Sequence, residues 1–152
     1  MQTLQIDTGV EEFEVNGRGV LRFNPGDPNL YHRFFDLREQ LAELEADLTR
    51  RTKALEETPD AGVRTAGELV LLAEYDRRIK TMLGEVFGKH NDFDALLDGV
   101  NLAGLGGNGR PVVQNLLDAL APVLQRGAQA TLEATARTAA AEAAAARAAR
   151  GA

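Results

Sequence analysis

Apolar positions recur along this chain with two different periods. From residue 30 the ladder Leu30, Phe34, Leu37, Leu41, Leu44, Leu48 alternates steps of four and three. That spacing predicts a long amphipathic helix. It is interrupted at Arg51, resumes at Leu55 and runs to about Glu57. At 1.5 Å per residue the segment is ~45 Å long. A compact chain of this size has a diameter nearer ~40 Å, so the helix must project or pair along its length. "TPDAG" at 58–62 breaks it, and "VRTAGELVLLAEYDRRIKTMLGEVFG" restarts a helix. Its apolar stripe reads Leu69, Leu72, Ile79, Met82, Leu83 and Val86, with Asp76 falling on the stripe and Tyr75 beside it. So short a connection predicts an antiparallel helical hairpin.

The N-terminal pattern has period two. Leu4 and Ile6 alternate with polar residues in "TLQID", as in a half-buried strand. "EEFEV", "NGRG" and "VLRF" then read as a β-hairpin. A two-residue Asn-Gly loop would put Phe13 on the face opposite Leu21 and Phe23. An odd-length loop through Asn16–Gly19 instead gathers Phe13, Val15, Leu21 and Phe23 on one face, with a glycine at positive φ. Glu12 and Glu14 then face Arg22. One apolar face on an isolated hairpin needs a helix to cover it.

"NPGDPN" ends the sheet, with Asp27 as N-cap and Pro28 at the first helical position. After the helical pair comes a short helix in "NDFDALLDG", capped by Asn91 or Asp92 and closed by Gly99. "NLAGLGGNGRP" reads as a flexible joint. Val113, Leu116, Leu117, Leu120 and Leu124 form one face of the next helix, which Pro122 should kink or end near Leu120. From Gly127 onward alanine dominates, favouring helix without large side chains to anchor it. That end is a fraying helix or a disordered tail. The expectation is therefore a mainly α (α+β) protein: an N-terminal hairpin over 1–26, a helical body over 27–126 and an Ala-rich tail over 127–152.

Candidate chemistry is sparse. There is no cysteine, which removes disulfides and thiolates and suits a reducing cytoplasm. "MQTLQIDTGVEEFEV" lacks the basic and apolar regions of a signal peptide, and no apolar run is long enough to span a membrane. A net charge of −6 argues against nucleic acid as the main ligand. The charge is uneven: residues 126–152 carry four Arg and two Glu, so +2 sits there and −8 on residues 1–125. "GLGGNG" at 104–109 matches a dinucleotide-binding glycine pattern by letter but has no preceding strand, and reads as a loop hinge. His90 with Asp92 and Asp94 is a candidate metal or acid–base cluster, but capping and turn formation explain these residues better. His32 reads as a surface or boundary side chain. The sequence predicts no catalytic residue, no cofactor and no metal site.

The order "FEVNG…GVLRFNPGDPNLYHRF", a long helix pair, "MLGEVFGKHNDFDALLDGVN" and a C-terminal helix resembles the tail assembly chaperones of long-tailed (siphovirus-type) bacteriophages over residues 4–125. The resemblance implies a non-catalytic protein that binds the long, helical tape measure protein and keeps it soluble before the tail tube polymerises. It implies self-association along that client, residence in the cytoplasm of the infected bacterium, and absence from the mature virion. It also implies, for many members, a longer frameshifted form that recruits tail tube protein. Phe23, Asn24, Pro25, Phe87 and Gly88 are the matching positions, as scaffold or interface residues. Physically, helix-in-groove binding needs apolar anchors at helical spacing. Tyr31, Phe34, Phe35, Leu69, Leu72 and Tyr75 are the candidate anchors, because one partner helix cannot cover both Tyr31 and Phe35 and the leucine seam. The competing expectation is a homo-oligomeric helical scaffold or a structural virion protein.

Overall fold

The computed structural model describes residues 1–151. Two strands, β1 (Glu11–Val15) and β2 (Gly19–Phe23), precede four helices: α1 (Pro28–Leu55), α2 (Ala61–Phe87), α3 (Phe93–Leu96) and α4 (Val112–Gly151). The molecule is mainly helical with one small antiparallel sheet, as the two periods predict.

The strands pair Phe13 with Leu21 and Val15 with Gly19, leaving a three-residue loop. Asn16 and Gly17 both have positive φ, and the Arg18 N–H donates to the Val15 carbonyl at 3.1 Å. The Asn-Gly pair thus makes the tight turn its residues favour. Arg18 is then the extra residue that restores the parity of the apolar face. Leu21 and Phe23 are buried, with Phe13 and Val15 half-buried against them.

Asp27 caps α1, its carboxylate accepting from the Asn29 N–H at 2.9 Å, and Pro28 opens the helix. Asp60 caps α2 in the same way, accepting from the Val63 N–H at 3.1 Å. α1 and α2 pack as a hairpin. Leu30, Phe34, Leu37 and Leu44 of α1 meet Leu71, Tyr75, Ile79, Leu83, Val86 and Phe87 of α2. The sheet closes the base of this pair, where the Phe87 ring lies 5.2 Å from Phe23 and 5.7 Å from Phe93. Leu117, Leu120 and Leu124 of α4 complete the core.

Four expectations need correction. Leu4 and Ile6 form no strand and are exposed. The Gly9 N–H bonds the Asp7 side chain and the Asn24 amide bonds the Thr8 carbonyl, each at 2.9 Å, so this segment is held by side chains rather than by strand pairing. The core stripe of α2 runs through Leu71 and Tyr75, leaving Leu69 exposed and Leu72 half-buried. Residues 101–111 are a pinned loop rather than a flexible joint. Leu102 is fully buried, its N–H donates to Asp76 at 2.7 Å, and the Asn101 amide donates to the Leu72 carbonyl at 3.0 Å. Pro122 does not end α4. Pro122 is exposed within the helix, and Leu124 is buried in the core two residues further on. α4 therefore crosses position 127 unbroken, and the tail takes the helical of its two expected forms.

Candidate functional site

The ladder of α1 changes character along its length. At its base Leu30, Phe34 and Leu37 are sealed under the sheet and the neighbouring helices. Further along, only Leu44 stays buried, while Leu41 and Leu48 are half-exposed on one flank. α4 touches α1 only briefly, so this flank opens onto a groove of about 330 Å³. Leu41 and Leu48 form one wall, and Val113, Gln114 and Pro111 the other. Leu44, Tyr75, Ile79 and Leu117 make the floor. A groove whose apolar side chains are edged by Arg38, Glu45 and Gln114 suits the amphipathic face of another helix.

The floor is held by a polar cluster at the Arg51 interruption. The Tyr75 ring is buried, and its hydroxyl donates to Asp47 and accepts from Arg51 at 3.3 Å. The Arg78 and Arg51 guanidinium groups lie 5.0 and 5.6 Å from the ring centroid. The Tyr75 hydroxyl, followed by Arg50 and Arg51, holds the Asp47 carboxyl below its ordinary range. Arg51 also pairs with Glu74 at 3.1 Å. The cluster fixes the register of α1 against α2, and with it the floor of the groove.

A second network answers why Asp76 lies on an apolar stripe. Asp76 accepts from the Leu102 N–H and pairs with Lys80 at 2.8 Å, and Lys80 reaches Asp94 at 2.6 Å. Burial pulls the Lys80 pKa down, but the two carboxylates outweigh it and leave it raised. The members of the candidate His90 cluster have separate roles. Asp92 caps α3, Asp94 binds Lys80, and the His90 Nε2 lies 3.2 Å from the Arg22 carbonyl oxygen. Among the described residues no group of three or more His, Cys, Asp or Glu is placed to hold a metal ion. No described helix is long and apolar enough to cross a membrane.

The six candidate anchors do not form one surface. Phe34 and Tyr75 belong to the protein's own core, at 3% and 1% exposure. Tyr31 and Phe35 pack edge to face at 4.8 Å near the base of α1, with Phe35 about half-exposed. Leu69 and Leu72 lie toward the opposite end, where α2 runs beside Arg51 and Leu55. Some 18 residues of α1 separate the two ends, ~27 Å at 1.5 Å per residue. The groove sits between them. Its walls, Leu41, Leu48 and Val113, were readable as seam positions, but nothing local to the sequence marked them as open.

The proposed scaffold residues are placed as follows. Phe23 and Phe87 are core, and Pro25 is buried beneath α4. Asn24 bridges Thr8 and Gly26, and Gly88 ends α2 with φ +105°. Compared with known proteins, the chain matches no family model, no curated protein and no solved structure.

Proposed function

We propose that this protein is a non-catalytic tail assembly chaperone of long-tailed bacteriophages, holding helical segments of the tape measure protein before the tail tube polymerises. One observation carries the reading: the leucine seam of α1 is incompletely covered by its own chain. The groove between α1 and α4 leaves Leu41, Leu48 and Val113 available to another helix. A client helix supplying apolar residues at i, i+3, i+4 and i+7 would fill it. On this reading the protein works in the cytoplasm of the infected host and stays out of the finished virion. A frameshifted longer form would bring tail tube protein to the same client.

Co-expression with the tape measure protein of the same genome is the direct test. The parent chain should raise client solubility and co-purify with it. The Leu41→Glu/Leu48→Glu variant should lose both while keeping the parent's helical circular dichroism. Unchanged client solubility with the parent chain rejects the reading.

A homo-oligomeric scaffold or virion protein is the second reading, favoured by the end of α4. From Leu132 to Gly151 every residue is exposed on a projecting helix. Mass spectrometry of purified virions separates the two, since a stoichiometric signal there supports the structural role.

A further inference from the structure

The two edges of the small sheet are unlike. β2 presents the N–H and C=O of Arg22 outward, and the Asn91 side chain takes both, at 2.9 and 2.8 Å. Antiparallel pairing alternates inward and outward residues. Because Arg22 opposes Glu12 and Val20 opposes Glu14, the main-chain groups of Glu12 and Glu14 point away from β2 on the other side. Among the described residues no hydrogen bond from outside the hairpin reaches them. β1 is an open edge.

Open edges template the addition of a strand. From this one we infer that the outer edge of β1 takes an extended, basic polypeptide segment of a partner protein as a third strand. Charge selects the occupant. Glu11, Glu12 and Glu14 line the strand, and among the described residues only Glu12 has a cation, Arg22 at 3.1 Å. Glu12 and Glu14 share the solvent face, so Lys or Arg at alternate positions of the incoming strand would lie beside them. The intervening positions would cover the half-buried edge of Phe13 and Val15, which calls for Val, Ile or Thr. A second copy fits poorly. β1 against β1 sets glutamates beside glutamates, and residues 1–7 carry no basic side chain. This inference is independent of the groove, since it concerns a different element and an extended partner.

Amide hydrogen exchange followed by NMR tests it on the full chain. The acetylated, amidated heptapeptide TKVKVKT at saturation should slow exchange at the Glu12 and Glu14 N–H groups by about tenfold or more. Its affinity should fall several-fold as salt rises. The acidic counterpart TEVEVET should leave both amides unchanged. Glu14→Pro removes one outward N–H that the hairpin does not use, and should abolish binding with an unaltered melting curve. Should that variant unfold, Glu12→Gln/Glu14→Gln keeps the backbone edge and should weaken binding several-fold. The inference is overturned if neither amide is protected by TKVKVKT, or if TEVEVET protects equally. Protection that appears on raising protein concentration alone, and disappears on deleting residues 1–9, would also overturn it in favour of a second copy.

Discussion

Asn91 holds Arg22 by both of its backbone groups. The Asn91 Oδ1 accepts from the Arg22 N–H at 2.9 Å, and its Nδ2 donates to the Arg22 carbonyl at 2.8 Å. The same Nδ2 donates to the Phe87 carbonyl, also at 2.8 Å, at the end of α2. One side-chain amide thus caps the β2 edge at Arg22 and ties the sheet to the helical hairpin. Asn91 is 5% exposed, so water cannot replace it. The hairpin owes its seat on the body to this residue as well as to the packing of Leu21 and Phe23.

Asn91→Asp is the most diagnostic substitution here. A carboxylate can accept from the Arg22 N–H but cannot donate to the Arg22 and Phe87 carbonyls, which then face an anion. Leaving the buried Phe87 carbonyl unpaired costs about 1–3 kcal/mol, and the anion beside both carbonyls adds to it. Asn91→Asp should therefore lower stability by ~2 kcal/mol or more in urea denaturation near neutral pH. Equal midpoints for variant and parent would mean the amide does not hold the sheet.

Gly127 and Pro25 make the second point of attachment. A Cβ at position 127 would overlap the Pro25 carbonyl group, because α4 crosses the Pro25–Gly26 turn in direct contact. In a helix interior Gly→Ala ordinarily gains ~1 kcal/mol. Overlap with backbone reverses the sign, since overpacking costs about 1–3 kcal/mol. Gly84 in α2 is the control, with open space where its Cβ would be. Gly84→Ala should raise the melting temperature and Gly127→Ala should lower it. A rise in both would show that α4 does not press on the turn.

These contacts also explain which parts of the fold were legible. Asp27 and Pro28 announced the start of α1, because a cap acts on residues two or three positions away. The hairpin parity was readable since both strands and their loop fit within Glu11–Phe23. The face of α2 was not, because "LVLLA" is apolar on every side and periodicity cannot choose among Leu69, Val70, Leu71 and Leu72. Packing chose Leu71, four residues before Tyr75 and eight before Ile79. The 101–111 loop read as flexible from its glycines, whereas Asp76 and Leu72, 26 and 29 residues away, pin it. The groove depends on where α4 parts from α1, which no local pattern encodes.

Tyr75→Phe should produce a pH-dependent loss of stability. The Tyr75 hydroxyl is the largest influence lowering the Asp47 pKa from its ordinary 3.8. A carboxyl lowered in the folded state contributes stability that is complete above its unfolded value. That contribution fades as pH falls through the folded value. Removing the hydroxyl should lower the urea midpoint near neutral pH, and the gap from the parent should narrow below pH 3.8. A gap that stays constant into acid would assign the loss to packing of the ring instead.

The exposed end of α4 poses a question of cooperativity. Its last hydrogen bond to the body is from the Thr131 hydroxyl, which donates to the Gly26 carbonyl at 2.8 Å. Beyond it no large side chain is buried, so this arm stands on alanine propensity and on the helix already formed behind it. Such an arm should melt gradually, before and apart from the core. Deleting residues 133–152 should therefore remove helical circular dichroism while shifting body stability by no more than ~0.5 kcal/mol, as for a surface change. The comparison should be made at several protein concentrations. If the full chain gains stability with concentration and the truncated chain does not, the arm packs against a second copy and the scaffold reading gains its mechanism.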